Sequence, residues 1–317
     1  MSDDMLPDGL TRAVNEFKDW SQQHLQEYQK VAKITTSLYH YTNGAGLRGI
    51  IESQKIWLTS YRHLNDPSEL IHGFHMVHRL LRKIGDGARD GLVKTFCQMV
   101  IDEFQHKEIF NDIFGFYIAS FSRNSNDLAQ WRSYADNGRG FALGLAPHLI
   151  QKVSTPNAKP PGYIVVPVLY DELAAQQWYR SAVETAIGLI QNNPPPPNFE
   201  IPFLRRLTLD LIVRHLILAC VAVKHQAYSH EQEVRLVVAA GRDDQKGYVK
   251  TRIRGSEIVP YIEGDMPLRE KDGIIEIVIG PAANTTAKDA VQILLQSSGV
   301  EPNDRIKYSG IPYRALD

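Results

Sequence analysis

Apolar residues recur at two spacings along the chain, and the two spacings predict different elements. Spacings of three and four residues place Leu10, Val14 and Phe17 on one face of a helix. Short runs of apolar and aromatic residues, bounded by turn-forming residues, predict strands. The predicted helices span residues 8–34, 47–54, 68–84, 88–110, 128–134, 172–191, 203–222 and 287–297. The predicted strands span residues 38–42, 56–59, 116–122, 141–145, 163–170, 232–239, 247–253, 257–263, 274–280 and 305–308.

The order of these elements favours the α+β class, since strands and helices mix without a regular βαβα alternation. We expect mixed β-sheets flanked by helices. The predicted domain organisation is an N-terminal helix at residues 1–34 and a single α+β domain at residues 35–317, in which residues 264–317 form a C-terminal βαβ extension. Four consecutive prolines at 194–197 predict a stiff connector, rather than a binding site for a proline-recognition module, because such a run is extended.

Charge and cysteine content narrow the class of protein. The 35 Lys and Arg nearly balance the 36 Asp and Glu, which argues against a protein that works by unspecific contact with phosphate backbones. Cys97 and Cys220 are too few for a disulfide scaffold, so we expect two buried thiols. The acidic start does not resemble a signal peptide, and no run reaches the roughly 18 apolar residues of a membrane span. These features predict a cytoplasmic protein with no membrane partner.

Three histidines on one predicted helix, His72, His75 and His78, form the cluster that most suggests a metal site. Their spacing spreads them across about 120° of the helix surface, so one ion could use two of them but hardly all three. Asp66 and Glu69 precede them, and no second His or Cys cluster has a matching spacing. We interpret the histidines as a helix face and expect no metal. The sequence also lacks the glycine-rich nucleotide loops and the serine nucleophile elbow.

Polar residues on three predicted strands are the strongest candidates for chemistry. They are His40, Ser120, Ser122, Glu231 and Glu233. Each has a structural interpretation as well, because strand histidines are often buried with a satisfied hydrogen bond and strand serines are common. The glutamates can be solvated, or paired with Arg235 or Lys224. One sheet could nevertheless direct all of these groups into one cleft, which makes them a site hypothesis.

This combination resembles the ADP-ribosyltransferases. In that superfamily a His or Arg on the first strand holds the NAD ribose or phosphate, a second strand carries Ser-x-Ser or Tyr-x-Ser, and a Glu-x-Glu element precedes an apolar strand. The resemblance implies an ADP-ribosyltransferase-like core at about residues 38–263, with NAD as substrate and no metal. Here a His is combined with Ser-x-Ser and Glu-x-Glu, a mixed set that leaves the target class open.

The resemblance also implies a role for each candidate residue. Glu233 would favour the positive charge that develops on the ribose as its bond to nicotinamide breaks, and Glu231 would orient or deprotonate the incoming nucleophile. His40 would hold the ribose hydroxyls, and Tyr61 or Tyr41 would stack on the nicotinamide. The other expected cofactor-binding residues are Thr42, Ser120, Ser122 and Trp131.

A second resemblance covers residues 38–314, almost the whole chain. Five short segments occur in the order found in a bacterial family, domain of unknown function 2971. They are Leu38–Thr42, Leu64–Pro67, Trp131–Gly140, Glu231–Arg235 and Ser309–Arg314. The name of this family assigns no activity to its members.

The expected function is therefore cleavage of the nicotinamide–ribose bond of NAD, with transfer of ADP-ribose to an unknown protein or nucleic acid. Two alternatives stay open: hydrolysis of NAD or another nucleotide in the same pocket, and ligand binding without catalysis, as in a sensor. A nucleic-acid acceptor would find positive charge at Arg79, Arg82, Lys83, Arg89 and Lys94. A solvated helix face explains the same charges.

Overall fold

The computed structural model describes residues 6–31, 34–64, 68–105, 114–152, 163–241, 247–270, 272–301 and 305–315. Asp66 and the side chain of Glu69, which precede the three histidines in the sequence, lie outside this description. Among the described residues, no helix combines the length and the apolar character needed to cross a membrane.

The helices and strands follow one another in a mixed order. The helices are α1 (Asp8–Val31), α2 (Gly44–Ser53), α3 (Ser68–Gly87), α4 (Gly91–Gln105), α5 (Leu128–Tyr134), α6 (Pro147–Lys152), α7 (Glu172–Asn192), α8 (Glu200–Leu207), α9 (Val213–Val221) and α10 (Ala287–Ser297). The strands are β1 (Leu38–Thr42), β2 (Lys55–Ser60), β3 (Phe114–Ser122), β4 (Phe141–Leu145), β5 (Ile164–Pro167), β6 (Glu233–Gly241), β7 (Lys250–Arg254), β8 (Glu257–Asp265), β9 (Ile274–Ile279) and β10 (Ile306–Tyr308). This mixture confirms the α+β class.

The chain folds into two compact units, each assembled from three stretches of sequence. The helical unit contains Met1–Ala32, Asp66–Ile113 and Leu169–Gln226, and the sheet unit contains Lys33–Asn65, Phe114–Val168 and Ala227–Asp317. The sequence predicted a different partition, a helix at 1–34 and one domain at 35–317. Helices from separate stretches pack together in the helical unit, and a partition by position along the sequence does not anticipate such packing.

The helical unit is built from α1, α3, α4, α7, α8 and α9 around a buried apolar interior. Its close packing is visible at Gly73, where a Cβ atom would lie 2.9 Å from Cβ of Cys220. Both cysteines are free and buried, as the sequence predicted. The helix predicted at 203–222 is divided, because a π-helical stretch at Thr208–Ile212 stands between α8 and α9.

The sheet unit contains a ten-stranded mixed sheet with helices against it. Eight strands follow the order β10-β9-β4-β1-β3-β2-β8-β7, and β6 pairs with both β3 and β5. Strands β9 and β10 are parallel and are connected by α10. These three elements form the predicted C-terminal βαβ unit. One face of the sheet carries a large apolar core that includes Leu38, Phe121, Leu143 and Leu236.

The sheet forks at β3. Strand β6 occupies one edge of β3 over its whole length, from Phe114 to Ser122. The other edge is shared: β1 meets it at the pair Tyr39–Ser122, and β2 meets it at Thr59–Ile118 and Ser60–Tyr117. Both strands run antiparallel to β3, so the continued register of each would claim residues 119–121. Two strands cannot occupy one edge, and therefore β1 and β2 separate there.

Candidate functional site

His40 lies in the fork, on the segment of β1 that leaves β3. Its Nδ1 is 3.0 Å from the carbonyl oxygen of Ser120, which can only accept, so Nδ1 carries the proton and donates it. The ring also lies 5.7 Å from that of Phe121, centroid to centroid. Where β1 and β2 separate, the edge of β3 loses backbone hydrogen bonds to a neighbouring strand. The hydrogen bond from His40 gives the carbonyl oxygen of Ser120 a donor in their place.

The hydrogen bond at Nδ1 leaves Nε2 of His40 as the free acceptor of the neutral ring. No described residue is hydrogen-bonded to it. Burial lowers the pKa of His40, and the positive charge of Arg252 lowers that pKa further, although the bond to Ser120 acts in the opposite direction. The imidazole is therefore neutral near pH 7, with Nε2 able to accept a hydrogen bond from a hydroxyl such as that of a ribose.

The hydroxyl of Ser122 forms its hydrogen bonds with backbone groups of the protein. The residue is buried, and its Oγ donates to the carbonyl oxygen of Glu231 at 2.6 Å while accepting from the backbone N–H of Asn124 at 3.0 Å. Ser120 lies on the same face of β3 and is half-buried, and its backbone carbonyl is the acceptor for His40. The two serines thus support the local backbone on both sides of the fork.

The two glutamates do not lie on one strand. Glu231 ends a 3₁₀ turn, Gln226–Glu231, and β6 begins at Glu233. Between them Gln232 has a left-handed backbone with φ of 45°, which redirects the chain. Both were counted among the polar residues of predicted strands, but alternation along a strand applies only to residues within it, and Glu231 lies outside β6.

Glu233 forms a two-point ion pair with Arg235, its neighbour on the same face of β6. The two bonds are Nε–Oε1 at 2.8 Å and Nη2–Oε2 at 2.9 Å, and both side chains are buried. This is the salt bridge that the sequence left open as the structural interpretation. With both carboxylate oxygens held by a guanidinium, the negative charge is compensated inside the protein.

Tyr41 and Trp131 belong to a small apolar core on the face of the sheet opposite to that of Leu38. Their rings meet edge to face with centroids 4.8 Å apart. The hydroxyl of Tyr41 donates to the carbonyl of Asn124 at 2.9 Å, and Nε1 of Trp131 donates to Oδ1 of Asn126 at 2.9 Å. Both polar ends are occupied, so these two aromatics act here as anchors of the polar loop that follows β3.

Thr42 is the last residue of β1 and Tyr61 directly follows β2, and these two strands separate at the fork. Thr42 ends β1 and is half-buried, with its carbonyl oxygen against the backbone of Gly140. Tyr61 follows β2 and is also half-buried; its hydroxyl accepts from Nε of Arg62 at 3.2 Å, and burial raises its pKa. Its ring meets that of Phe116 edge to face, at 6.3 Å between centroids.

The register shows which candidates share a face of the sheet. Strand pairing places Tyr39 opposite Ser122 and Ser122 opposite Glu233, so these three side chains are on one face. His40 is on the other face, with Leu143 as its partner in β4. The predicted convergence of His40, Ser122 and Glu233 in one cleft is therefore not what the strand register gives. The structure joins His40 to β3 through the backbone of Ser120.

Arg252 is the residue near this site that the sequence analysis missed. It lies on β7, its Nη2 donates to Oγ1 of Thr59 at 3.0 Å, and its guanidinium stands 5.1 Å from the ring centre of Trp57. The signal in the sequence was the alternation Lys250-x-Arg252-x-Arg254, in which the first two cations share a face of the strand predicted at 247–253 and Arg254 follows that strand.

The histidine cluster of α3 lies in the helical unit. Nε2 of His72 is 3.8 Å from a carboxylate oxygen of Glu172. Burial lowers the pKa of His72, as do nearby positive groups, while Glu172 raises it. Among the described residues, no three His, Cys, Asp or Glu side chains are grouped so that they could hold a metal ion.

Comparison with known families identifies part of the chain. Residues 130–236 match the model of a family described as "Protein of unknown function (DUF2971)", which confirms the resemblance to domain of unknown function 2971. The matched segment is about a third of the chain and includes Trp131, Gly140, Glu233 and Arg235. Comparison with curated proteins and with solved structures gives no match.

Proposed function

We propose that the sheet unit binds NAD at the fork of its sheet and acts as an ADP-ribosyltransferase-like enzyme. The observation that carries the proposal is the placement of His40. Its Nδ1 is committed to the carbonyl of Ser120 at 3.0 Å, so Nε2 is oriented by the backbone of β3 and has no described partner. A neutral imidazole fixed in this way suits a ribose hydroxyl, which donates to Nε2.

The reaction would break the bond between C1′ of the ribose and the pyridinium nitrogen. Nicotinamide leaves as a neutral molecule with the bonding electron pair, and the sugar becomes a cation of oxocarbenium type. A nucleophile of the acceptor then gives an electron pair to C1′ and loses its proton to a base. Glu231 is the base in this proposal. Glu233 lies on the face of the sheet opposite to that of His40, so its negative charge would act on the cation across the fork, where β1 and β2 separate.

The ion pair between Glu233 and Arg235 favours a second candidate function. A carboxylate bound at both oxygens by a buried guanidinium has little net field to offer a developing cation. The same fork would then bind a nucleotide without cleaving it, as in a sensor. Hydrolysis of NAD, the third alternative, differs from transfer only in that water is the nucleophile.

One experiment separates the three functions. The purified full chain is incubated with NAD labelled in the adenylate part, with and without whole-cell lysate, and free nicotinamide and labelled macromolecules are counted separately. Transfer gives both products, hydrolysis gives nicotinamide alone, and a binding module gives neither but raises its melting temperature with NAD.

The matched variants are His40→Ala and His75→Ala. His75 is an exposed histidine of α3 in the helical unit, so its loss should change neither nicotinamide release nor the response to NAD. We expect His40→Ala to weaken NAD binding by about tenfold or more, the worth of one well-oriented hydrogen bond. Equal NAD affinity in both variants and in the unmodified chain would reject binding at the fork.

A further inference from the structure

Strand β7 carries three cations on one face. Lys250, Arg252 and Arg254 occupy alternate positions, and alternate positions of a strand share a face. The strand is the last in the order of the sheet and pairs with β8 alone among the described strands. Its cations therefore lie at one edge of the sheet, and β8 separates them from β2.

The two outer cations are neutralised and the middle one is not. Nζ of Lys250 is 2.9 Å from Oε2 of Glu263, and Nη2 of Arg254 is 3.2 Å from Oε2 of Glu257. For Arg252, no described carboxylate lies within 4.0 Å. Its guanidinium is thus a positive charge without a counter-charge in the described part of the chain.

Most of the donors of Arg252 also lack acceptors among the described residues. A guanidinium has five N–H donors, and Arg252 uses one of them, on Oγ1 of Thr59. Its Nε is buried and has no hydrogen-bond partner. Leaving a charged donor without an acceptor costs free energy that a bound anion would offset. Burial lowers the pKa of Arg252 and the charge of Arg254 lowers it further, so an anion beside the guanidinium would stabilise its charged form.

The surroundings fix the orientation of this guanidinium. Trp57 lies beneath it at 5.1 Å, and Thr59 holds Nη2 from the neighbouring strand β2. A stacked, hydrogen-bonded guanidinium presents a flat fork of donors, the geometry that matches two oxygens of a phosphate. Nδ1 of His63, on the turn after β2, is another buried atom without a hydrogen-bond partner, and the carbonyl of this residue accepts from Arg254 at 2.7 Å.

We propose that Arg252 binds the phosphate of a nucleotide, with its guanidinium held ready by Trp57 and Thr59. Thr59, which accepts from Arg252, pairs with Ile118 of β3 where β2 leaves that strand, so the phosphate site lies beside the fork. If the proposed function holds, the ligand is the diphosphate of NAD; this identity of the ligand rests on that proposal, whereas the phosphate site itself does not.

The test is calorimetric titration of the full chain with inorganic pyrophosphate, ADP-ribose and nicotinamide riboside, the last of which has no phosphate. The variants are Arg252→Gln, Arg252→Lys and the matched control Arg254→Gln, which removes an ion-paired cation of the same strand face. Losing a charge-assisted contact should reduce the affinity for pyrophosphate and ADP-ribose about 10- to 100-fold in Arg252→Gln. Arg252→Lys keeps the charge but not the two-point geometry, and an intermediate loss is expected.

The outcomes separate this proposal from the proposed function. Pyrophosphate binding that depends on Arg252, in a chain that releases no nicotinamide and ignores NAD, supports the phosphate site and rejects the NAD-cleaving function. Nicotinamide release and NAD binding that are equal in Arg252→Gln and the unmodified chain reject the phosphate site alone. The site is also rejected if Arg254→Gln loses as much affinity as Arg252→Gln, or if pyrophosphate and ADP-ribose do not bind. Because Arg252→Lys keeps a charge and the hydrocarbon stem over Trp57, it controls for misfolding of Arg252→Gln.

Discussion

At the scale of single residues, the ion pair between Glu233 and Arg235 makes Glu233→Gln informative about both stability and activity. The amide cannot compensate the buried guanidinium, so we expect the free energy of unfolding to fall by about 3 kcal/mol. Replacing both residues, by Gln and Met, removes the stranded charge and should recover part of that loss. Denaturant unfolding measures both effects, and an unchanged midpoint for Glu233→Gln would contradict the buried ion pair.

The same variant also tests the catalytic role of Glu233. Under the transfer mechanism, nicotinamide release per folded molecule should fall by about 10²-fold, because the charge near the ribose is gone. If Glu233→Gln is fully active but less stable, the carboxylate of Glu233 has a structural role and no catalytic one. The sequence could predict the partner Arg235 from alternation along the strand, but not which of the two roles dominates, since that depends on burial and on both oxygens being occupied.

At the end of the Trp131–Gly140 segment, close backbone contacts require a glycine at position 140. A Cβ atom at this position would lie 2.3 Å from the carbonyl oxygen of Thr42 and 3.0 Å from the backbone of Ala135. Backbone atoms held in a sheet have little freedom to move, so we expect Gly140→Ala to cost about 3 kcal/mol of stability. Gly49, inside α2, has open space around it, and Gly49→Ala should instead gain about 0.5–1 kcal/mol. The melting temperature should therefore fall in Gly140→Ala and rise in Gly49→Ala. A rise in both variants would contradict the close approach at Gly140.

At the scale of elements, a histidine joins three helices of the helical unit and makes its stability depend on pH. Nε2 of His215 on α9 accepts from Nε1 of Trp178 on α7 at 3.3 Å, so its Nδ1–H donates to Oγ of Ser21 on α1 at 2.7 Å. Burial, with a smaller effect from His24, lowers the pKa of His215 to about 3. In the unfolded chain His215 takes up a proton near pH 6.5, whereas in the folded chain it does so only near pH 3. The free energy of unfolding is therefore greatest above about pH 6.5 and falls as the pH drops below that value.

This histidine predicts a loss of about 1.4 kcal/mol of stability per pH unit below pH 6.5, from this group alone. Urea unfolding at pH 7, 6 and 5 measures the slope. His215→Gln cannot take up the proton, and its slope should be smaller by that amount; His75→Gln, which replaces an exposed histidine of α3, is the control substitution. Identical slopes in His215→Gln and the unmodified chain would refute the assignment.

The elements themselves were largely predictable, and the exceptions have local causes. Strands β1 and β4 and helices α5 and α10 have the predicted bounds, because clear caps or turns enclose each of them. Asp127, for example, caps α5 by accepting from the backbone N–H of Gln130. The π-helical stretch and the turn before β6 were not predicted, since neither changes the spacing of apolar residues. The fork was also beyond the sequence, because it arises from two strands that compete for one edge of β3.

At the scale of the whole molecule, distant segments of the family resemblance meet in the sheet unit. The C-terminal stretch at 309–313 contacts two places. Oγ of Ser309 donates to Oδ1 of Asn126, in the loop after β3, at 2.6 Å, and the hydroxyl of Tyr313 donates to Oδ1 of Asn137, which follows α5. Asn126 is also the acceptor for Trp131, so the two segments share one polar residue. The order of these segments along the sequence does not predict this contact. It depends on strand pairing, since β4, which follows the Trp131–Gly140 segment, pairs with β9, and β9 pairs with β10, which precedes Ser309.

The nature of the acceptor is also a question for the whole molecule, and salt dependence answers part of it. Arg79, Arg82 and Lys83 are exposed on α3 in the helical unit, whereas the net charge of the chain is −1. If these three cations contact phosphates, affinity for structured RNA or duplex DNA should fall about 40-fold between 50 and 200 mM salt, because each contact releases a counterion. Replacing all three by Glu should then abolish the binding and its salt dependence together. The measurement is a fluorescence titration at both salt concentrations, with Lys18→Glu, an exposed charge of α1, as the control. Undetectable binding at 50 mM salt, or binding that the triple replacement leaves unchanged, would remove a nucleic acid guided by this face of α3 from the candidate acceptors and leave the charges as a solvated helix surface.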